Sequence, residues 1–181
     1  MRVAARATAV TVAMALILTA APARATTISG SYAYTALGFG AGAPRDPISG
    51  VVTFSFDDSA QFLGAADGDL VNGVIVRVTS FGLTLPGAWT PVLTYLKALN
   101  VVAIGHSLSG TVVNPATDDW RVAFNNPASP TFREFAYATS GTNTVFVTQT
   151  GSVAAVPEPA TIALVGLGLA GLCSRLSKSR R

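Results

Sequence analysis

The chain of 181 residues is short of the side chains that carry most chemistry: it has one cysteine, one histidine and only 12% charged residues. A single cysteine excludes an intrachain disulfide. Because that residue, Cys173, lies inside a C-terminal apolar run, the rest of the chain also has no thiol nucleophile. A single histidine, His106, excludes the clustered His and Cys ligands that transition metals require. No apolar run reaches the roughly 20 residues that span a bilayer comfortably. Two shorter runs, one at each end, therefore have to be read from their flanks.

Basic residues are scarce in the middle of the chain. Twelve Lys and Arg against nine Asp and Glu give a net charge of +3, but seven of the twelve lie at the two ends: Arg2, Arg6, Arg24, Arg175, Lys178, Arg180 and Arg181. Between Thr26 and Val156 five basic residues face eight acidic ones, a net charge of −3. No basic stripe remains there for a nucleic-acid partner. The high pI belongs to the tails.

At the N-terminus, Arg2 and Arg6 precede an apolar stretch from Ala7 to Ala21, followed by Ala23-Arg24-Ala25. A basic region, an apolar region and a small-x-small site in that order form a secretory signal peptide. The expected cut after Ala25 makes Thr26 the new N-terminus, with a cut a few residues away as the alternative. The implied partner is the Sec export machinery.

At the C-terminus, Pro157-Glu158-Pro159 is followed by the uncharged run Ala160 to Cys173, and then by Arg175, Lys178, Arg180 and Arg181. As a helix the run would be about 21 Å long at ~1.5 Å per residue, shorter than the ~30 Å hydrocarbon core. Basic residues beside such a segment favour the cytoplasmic side and extend its reach by snorkelling. The expectation is a single weak membrane helix with its basic tail inside and the body of the protein outside. The two prolines lack N–H donors and push their neighbours out of helical geometry, so the segment around Glu158 is expected to be extended and accessible to a protease. Gly166, Gly168, Ala170 and Gly171 make the helix thin enough for close approach by another membrane helix.

This order of triplet, glycine-rich apolar segment and arginine-rich end resembles the PEP-CTERM sorting signal of Gram-negative bacteria. The resemblance covers 26 of the 181 residues. It implies recognition by an exosortase, a membrane-embedded protease-transpeptidase of species that make exopolysaccharide. Processing at or near Pro157, Glu158 and Pro159 would follow, with delivery to the cell surface or extracellular matrix. The resemblance implies no activity for the body. The expected organisation is a signal peptide over 1–25, an exported domain over 26–155 and a sorting signal over 156–181.

The exported body reads as all-β. Val52, Phe54 and Phe56 alternate with Thr53 and Ser55, and Trp120, Val122 and Phe124 with Arg121, Ala123 and Asn125, which is the period of a half-buried strand. Val74, Val76 and Val78 form a third face that Phe81, Leu83 and Leu85 continue on the opposite parity. That slip predicts a bulge or bend near Thr79-Ser80. Further strands are expected at Ile28 to Thr35, Leu99 to Ile104, Phe132 to Ala138 and Thr144 to Thr150. Turns are expected at Gly38 to Pro47, Asp57 to Asp69, Asn114 to Asp119 and Asn125 to Pro130. About seven or eight short strands at this spacing predict an antiparallel β-sandwich, with a barrel or jelly roll as the alternative. Pro91 to Asn100 is ambiguous, because Leu93, Leu96 and Leu99 recur every three residues as in a short helix. Gly151 to Val156 reads as a short linker to the sorting signal.

Candidate sites in the body are few. Gly105-His106-Ser107-Leu108-Ser109-Gly110 resembles a nucleophile elbow. Its fifth position is Ser109 rather than glycine, and the only histidine adjoins the serine it would have to activate, so a polar turn is the better reading. Asp57, Asp58, Asp67 and Asp69 could supply oxygens to calcium, but their spacing is not that of an EF-hand, and aspartate is equally at home in a solvated hairpin loop. Trp89 and Trp120 could stack on sugars, although Trp120 lies on the core parity of its strand. The resulting expectation is a non-enzymatic structural or adhesive protein without a cofactor, with a carbohydrate- or calcium-binding module as the alternative.

Overall fold

The computed structural model describes residues 26–84, 89–106 and 112–157. Residues 1–25, expected as a signal peptide, Leu85, Ser107 and the run from Glu158 onward lie outside the described residues.

Among the described residues ten strands, rather than the expected seven or eight, form two antiparallel sheets. The first, in the order β10-β1-β2-β4, contains β1 (Thr27–Ala36), β2 (Ile48–Asp57), β4 (Ile75–Phe81) and β10 (Gly151–Ala155). The second runs β3-β5-β6-β7-β8-β9, from β3 (Phe62–Ala66) through β5 (Pro91–Leu96), β6 (Val101–His106), β7 (Asp119–Asn125) and β8 (Thr131–Ala138) to β9 (Val145–Thr148). The strand signals read from alternation fall on strands with ends displaced by a few residues, except that Leu83 lies past the end of β4 and Leu85 outside the described residues.

The alternating side chains cause the two sheets to pack face to face. Val52, Phe54 and Phe56 of β2 and Trp120, Val122 and Phe124 of β7 are all buried in one core, whereas their alternate neighbours Thr53, Ser55 and Arg121 are not. Rings from opposite sheets meet directly. Tyr34 stacks on Phe135 at 5.7 Å, Phe56 lies 4.7 Å from Tyr95, and Phe81 lies 4.6 Å from Trp120. Such pairs add to the area they bury, which makes the aromatic seam the main adhesive between the layers.

Close approach also requires a missing side chain. A Cβ at Gly50 would lie 2.5 Å from the Tyr34 hydroxyl and 2.8 Å from the Ser80 carbonyl oxygen, so only glycine lets Tyr34 lie flat across β2. Burial holds the Tyr34 phenol well above its ordinary pKa.

The slip at Thr79 is a bulge. Val51 pairs with Ser80 and Val52 with Val78, leaving Thr79 as the extra residue. As a result Val76 and Val78 on one side of the bulge and Phe81 on the other all reach the same core. A similar shift leaves Arg133 without a counterpart between Ala123↔Glu134 and Phe124↔Phe132.

One ambiguity is resolved and two expectations are corrected. Pro91 to Leu96 is a strand, and helical geometry is confined to a 3₁₀ turn at Lys97–Leu99, with Leu93 buried and Leu99 exposed. The leucine spacing of three was incidental to a period-two strand. The Asp57 to Asp69 stretch is not all turn, because β3 lies within it and buries Phe62 against Phe56 and Tyr95. Gly151 to Ala155, expected as linker, is the edge strand β10, paired with β1 from Tyr32↔Ala155 to Ala36↔Gly151. Its small residues carry almost no alternation signal; only Val153 packs on the core.

Candidate functional site

The chain leaves the folded domain at the end of β10, and this exit is the site that the sequence singled out. β10 lies at the edge of its sheet, and its last ladder bond is donated by the Val156 N–H to the Ser31 carbonyl oxygen at 2.8 Å. Pro157 follows at once and is exposed. The site therefore joins the sheet directly, with no linker between the last strand and the first proline of the triplet. Glu158, Pro159, the apolar run, the basic residues Arg175, Lys178, Arg180 and Arg181, and the expected cleavage residues Ala23 and Ala25 lie outside the described residues.

Beside the exit is a shallow groove of about 320 Å³, bounded by Ser29, Ser31, Thr53, Ser55, Ile75 and Pro157. Its floor is set by strand parity. In β1 and β2 most residues that alternate with the core side chains are serine and threonine, interrupted by the Ala33↔Val51 pair, and the register places them side by side: Ser29↔Ser55, Ser31↔Thr53 and Thr35↔Ser49. The Ser31 and Thr53 hydroxyls are 2.9 Å apart, and those of Thr35 and Ser49 are 3.0 Å apart. Short hydroxyl side chains in cross-strand pairs give a flat polar face that both donates and accepts hydrogen bonds.

The N-terminal end of the domain lies at the same end of this sheet. The Thr26 N–H donates to Asp58 Oδ1 at 2.9 Å, and the Thr26 carbonyl accepts the Asp58 N–H at 3.1 Å. In a chain beginning at Thr26 that nitrogen would be an ammonium, and the contact would be an ion pair.

The other three aspartates of the acidic group also serve the backbone. Asp57 accepts the Ser59 N–H at 2.7 Å, Asp67 accepts the Val76 N–H at 3.0 Å, and Asp69 accepts the Val71 and Asn72 N–H groups at 2.9 and 3.1 Å. These are the local bonds by which aspartate fixes turns. Among the described residues no group of three or more His, Cys, Asp or Glu is arranged to hold a metal ion.

His106 ends β6, with Nδ1 at 3.1 Å from the Asp118 carbonyl oxygen and at 3.9 Å from Asp119 Oδ1. Asp119 is itself buried and accepts the Asn114 and Trp120 N–H groups, each at 2.8 Å. The carboxylate thus ties the turn ahead of β7 to the strand, a structural use that local sequence gave no reason to expect.

Neither tryptophan forms an open platform. Trp120 is 1% exposed, and the half-buried Trp89 packs against it at 5.4 Å and against Phe81 at 5.4 Å. The sequence missed the hydroxyl face. Its signal was the serine and threonine on the solvent parity of two long strands, which only cross-strand register turns into a surface.

No curated protein and no solved structure shows significant similarity to the chain. The family model for the PEP-CTERM protein-sorting motif matches residues 155–181. The match begins on the last residue of β10, so fold and motif meet at one peptide. The motif marks the chain as an exosortase target exported to the cell envelope or surface. The chain thus carries a PEP-CTERM protein-sorting motif at its C-terminal end.

Proposed function

We propose that the protein is a non-enzymatic structural or adhesive component of the cell surface or extracellular matrix, delivered there as a folded β-sandwich. The reading rests on one observation: the sorting motif starts where the last strand ends, which makes the remainder of the chain a self-contained cargo. Export begins with the Sec machinery and a signal-peptide cut after Ala25. The Asp58 carboxylate beside the Thr26 nitrogen supports that cut, because it would neutralise the new ammonium. The C-terminal run then holds the chain transiently in the inner membrane, with the basic tail inside, until exosortase processing at the triplet.

Within the alternative of a ligand-binding module, the hydroxyl-rich face of β1 and β2 favours carbohydrate over calcium, since the four candidate carboxylates are already bonded to backbone N–H groups. An exopolysaccharide is a neutral or acidic polymer of hydroxyls, and a flat donor-acceptor face suits it. The test is retention of the purified exported protein on exopolysaccharide of the producing cells, with and without calcium. The adhesive reading predicts calcium-independent retention that weakens in a Ser31→Val/Thr53→Val variant. Absence of retention on any glycan would remove the adhesive reading and leave the purely structural role.

A further inference from the structure

The N-terminal half of β1 has an unused edge. In this strand the odd-numbered residues turn their backbone groups toward β10, as shown by the bonds from the Val156 N–H to the Ser31 oxygen and from the Leu37 N–H to the Thr150 oxygen. Even-numbered residues face β2, as the bond from the Asp58 N–H to the Thr26 oxygen shows. β2 covers β1 over its whole length, from Thr27 to Ala36, whereas the β10 ladder starts only at Tyr32, with Val156 adding one bond to Ser31. The backbone N–H and C=O groups of Thr27 and Ser29 therefore face outward with no strand across from them among the described residues. The groove beside Pro157 lies along this stretch. An open edge of this kind is a template for an extended segment.

We propose that the edge is the docking site of residues 158–160, so that the Pro-Glu-Pro triplet continues β10 as part of the folded domain. The register already in place pairs Val156 with Ser31, and its continuation sets residue 157 opposite Gly30, 158 opposite Ser29, 159 opposite Ile28 and 160 opposite Thr27. In an antiparallel ladder successive N–H groups alternate in direction. The N–H of Val156 faces β1, in this register those of residues 158 and 160 would do the same, and the nitrogens of 157 and 159 would face away. The two prolines thus fall on the positions where a missing donor costs no ladder bond, and Glu158 falls where its donor is needed. A shift of one residue would place both prolines against β1 and abolish the pairing. The outward prolines also blunt the new edge against addition of another strand. Opposite Ser29, the Glu158 carboxylate would fall on the hydroxyl face, where Ser29, Ser31 and Ser55 line the groove and can donate to it.

Docking gives the triplet one fixed, extended presentation, the form in which proteases bind their substrates, and does so whatever the role of the exported domain. The test is residue-resolved amide exchange by NMR on the full chain in detergent micelles. The Thr27 and Ser29 amides should exchange slowly in the unmodified chain and about tenfold faster in Glu158→Pro, which removes the inward donor. They should remain slow in Glu158→Ala, and the Gly30 and Tyr32 amides, bonded to β2, should not change in either variant. A cross-strand contact between the Ile28 and Pro159 α-protons in the unmodified chain is the second readout and needs no substitution. Thr27 and Ser29 amides that exchange at open-edge rates in the unmodified chain would overturn the proposal, as would absence of that proton contact. Either result would leave sorting by the motif intact, because exosortase processing is measured separately.

Discussion

Phe135 shows at the scale of one residue how this core is held. Its ring meets those of Tyr34 and Phe39 from the first sheet and its loop, and those of Phe81, Trp120 and Tyr137 at 5.7 to 6.5 Å. Truncation leaves a cavity bounded by five rings that cannot all collapse into it. Phe135→Ala is expected to destabilise the domain by about 3–5 kcal/mol, seen as a lower denaturant midpoint at unchanged slope. The buried phenols add a pH dependence. Burial raises the pKa of Tyr34, Tyr32, Tyr95 and Tyr137 above the ordinary 10.0. A raised phenol pKa means that the folded state binds protons more tightly than the unfolded chain. Stability is therefore unaffected below about pH 10 and falls as the pH rises beyond it. Phenolate absorbance near 295 nm should appear together with loss of near-UV circular dichroism; phenolate forming at pH 10 with the tertiary signal intact would contradict this. Such residues were partly legible in the sequence: Trp120, Val122 and Phe124 declared their face by parity. The role of Asp119 was not, because its partners Asn114 and Trp120 are fixed by a turn rather than by a repeating pattern.

Among the elements, legibility followed the strength of alternation. β2 and β7 carry large apolar residues at every second position and were evident, as was the bulge at Thr79, which reveals itself as a break in parity. β3 and β10 were not. Phe62-Leu63-Gly64-Ala65-Ala66 and Gly151-Ser152-Val153-Ala154-Ala155 contain mostly small residues, and each strand forms because a neighbouring strand offers it a ladder. Non-local pairing overrides weak local preference at such edges. This explains why the sorting motif abuts a strand where sequence reading placed a linker. The Glu158→Pro exchange experiment is the prediction of this scale, since it asks whether the same ladder extends three residues further.

For the whole molecule, the sequence divides into addresses and cargo, and the charge divides with it. The basic excess sits outside the described domain, and the domain itself is mildly acidic, disulfide-free and closed by an aromatic seam between two sheets. Sorting was legible because three physically distinct parts occur in a fixed order near the end of the chain. The task of the cargo was less so, because a polar strand face becomes a surface only after the sheets assemble. The central claim is that the chain is exported whole and released from its C-terminal address by an exosortase. Intact mass spectrometry of the exported protein, from cells with and without the exosortase, tests it most directly. The account predicts a form that begins at or near Thr26 and ends at or near the triplet in the first case, and one that retains Arg175 to Arg181 in the second. A form that keeps the basic C-terminus in both would contradict it.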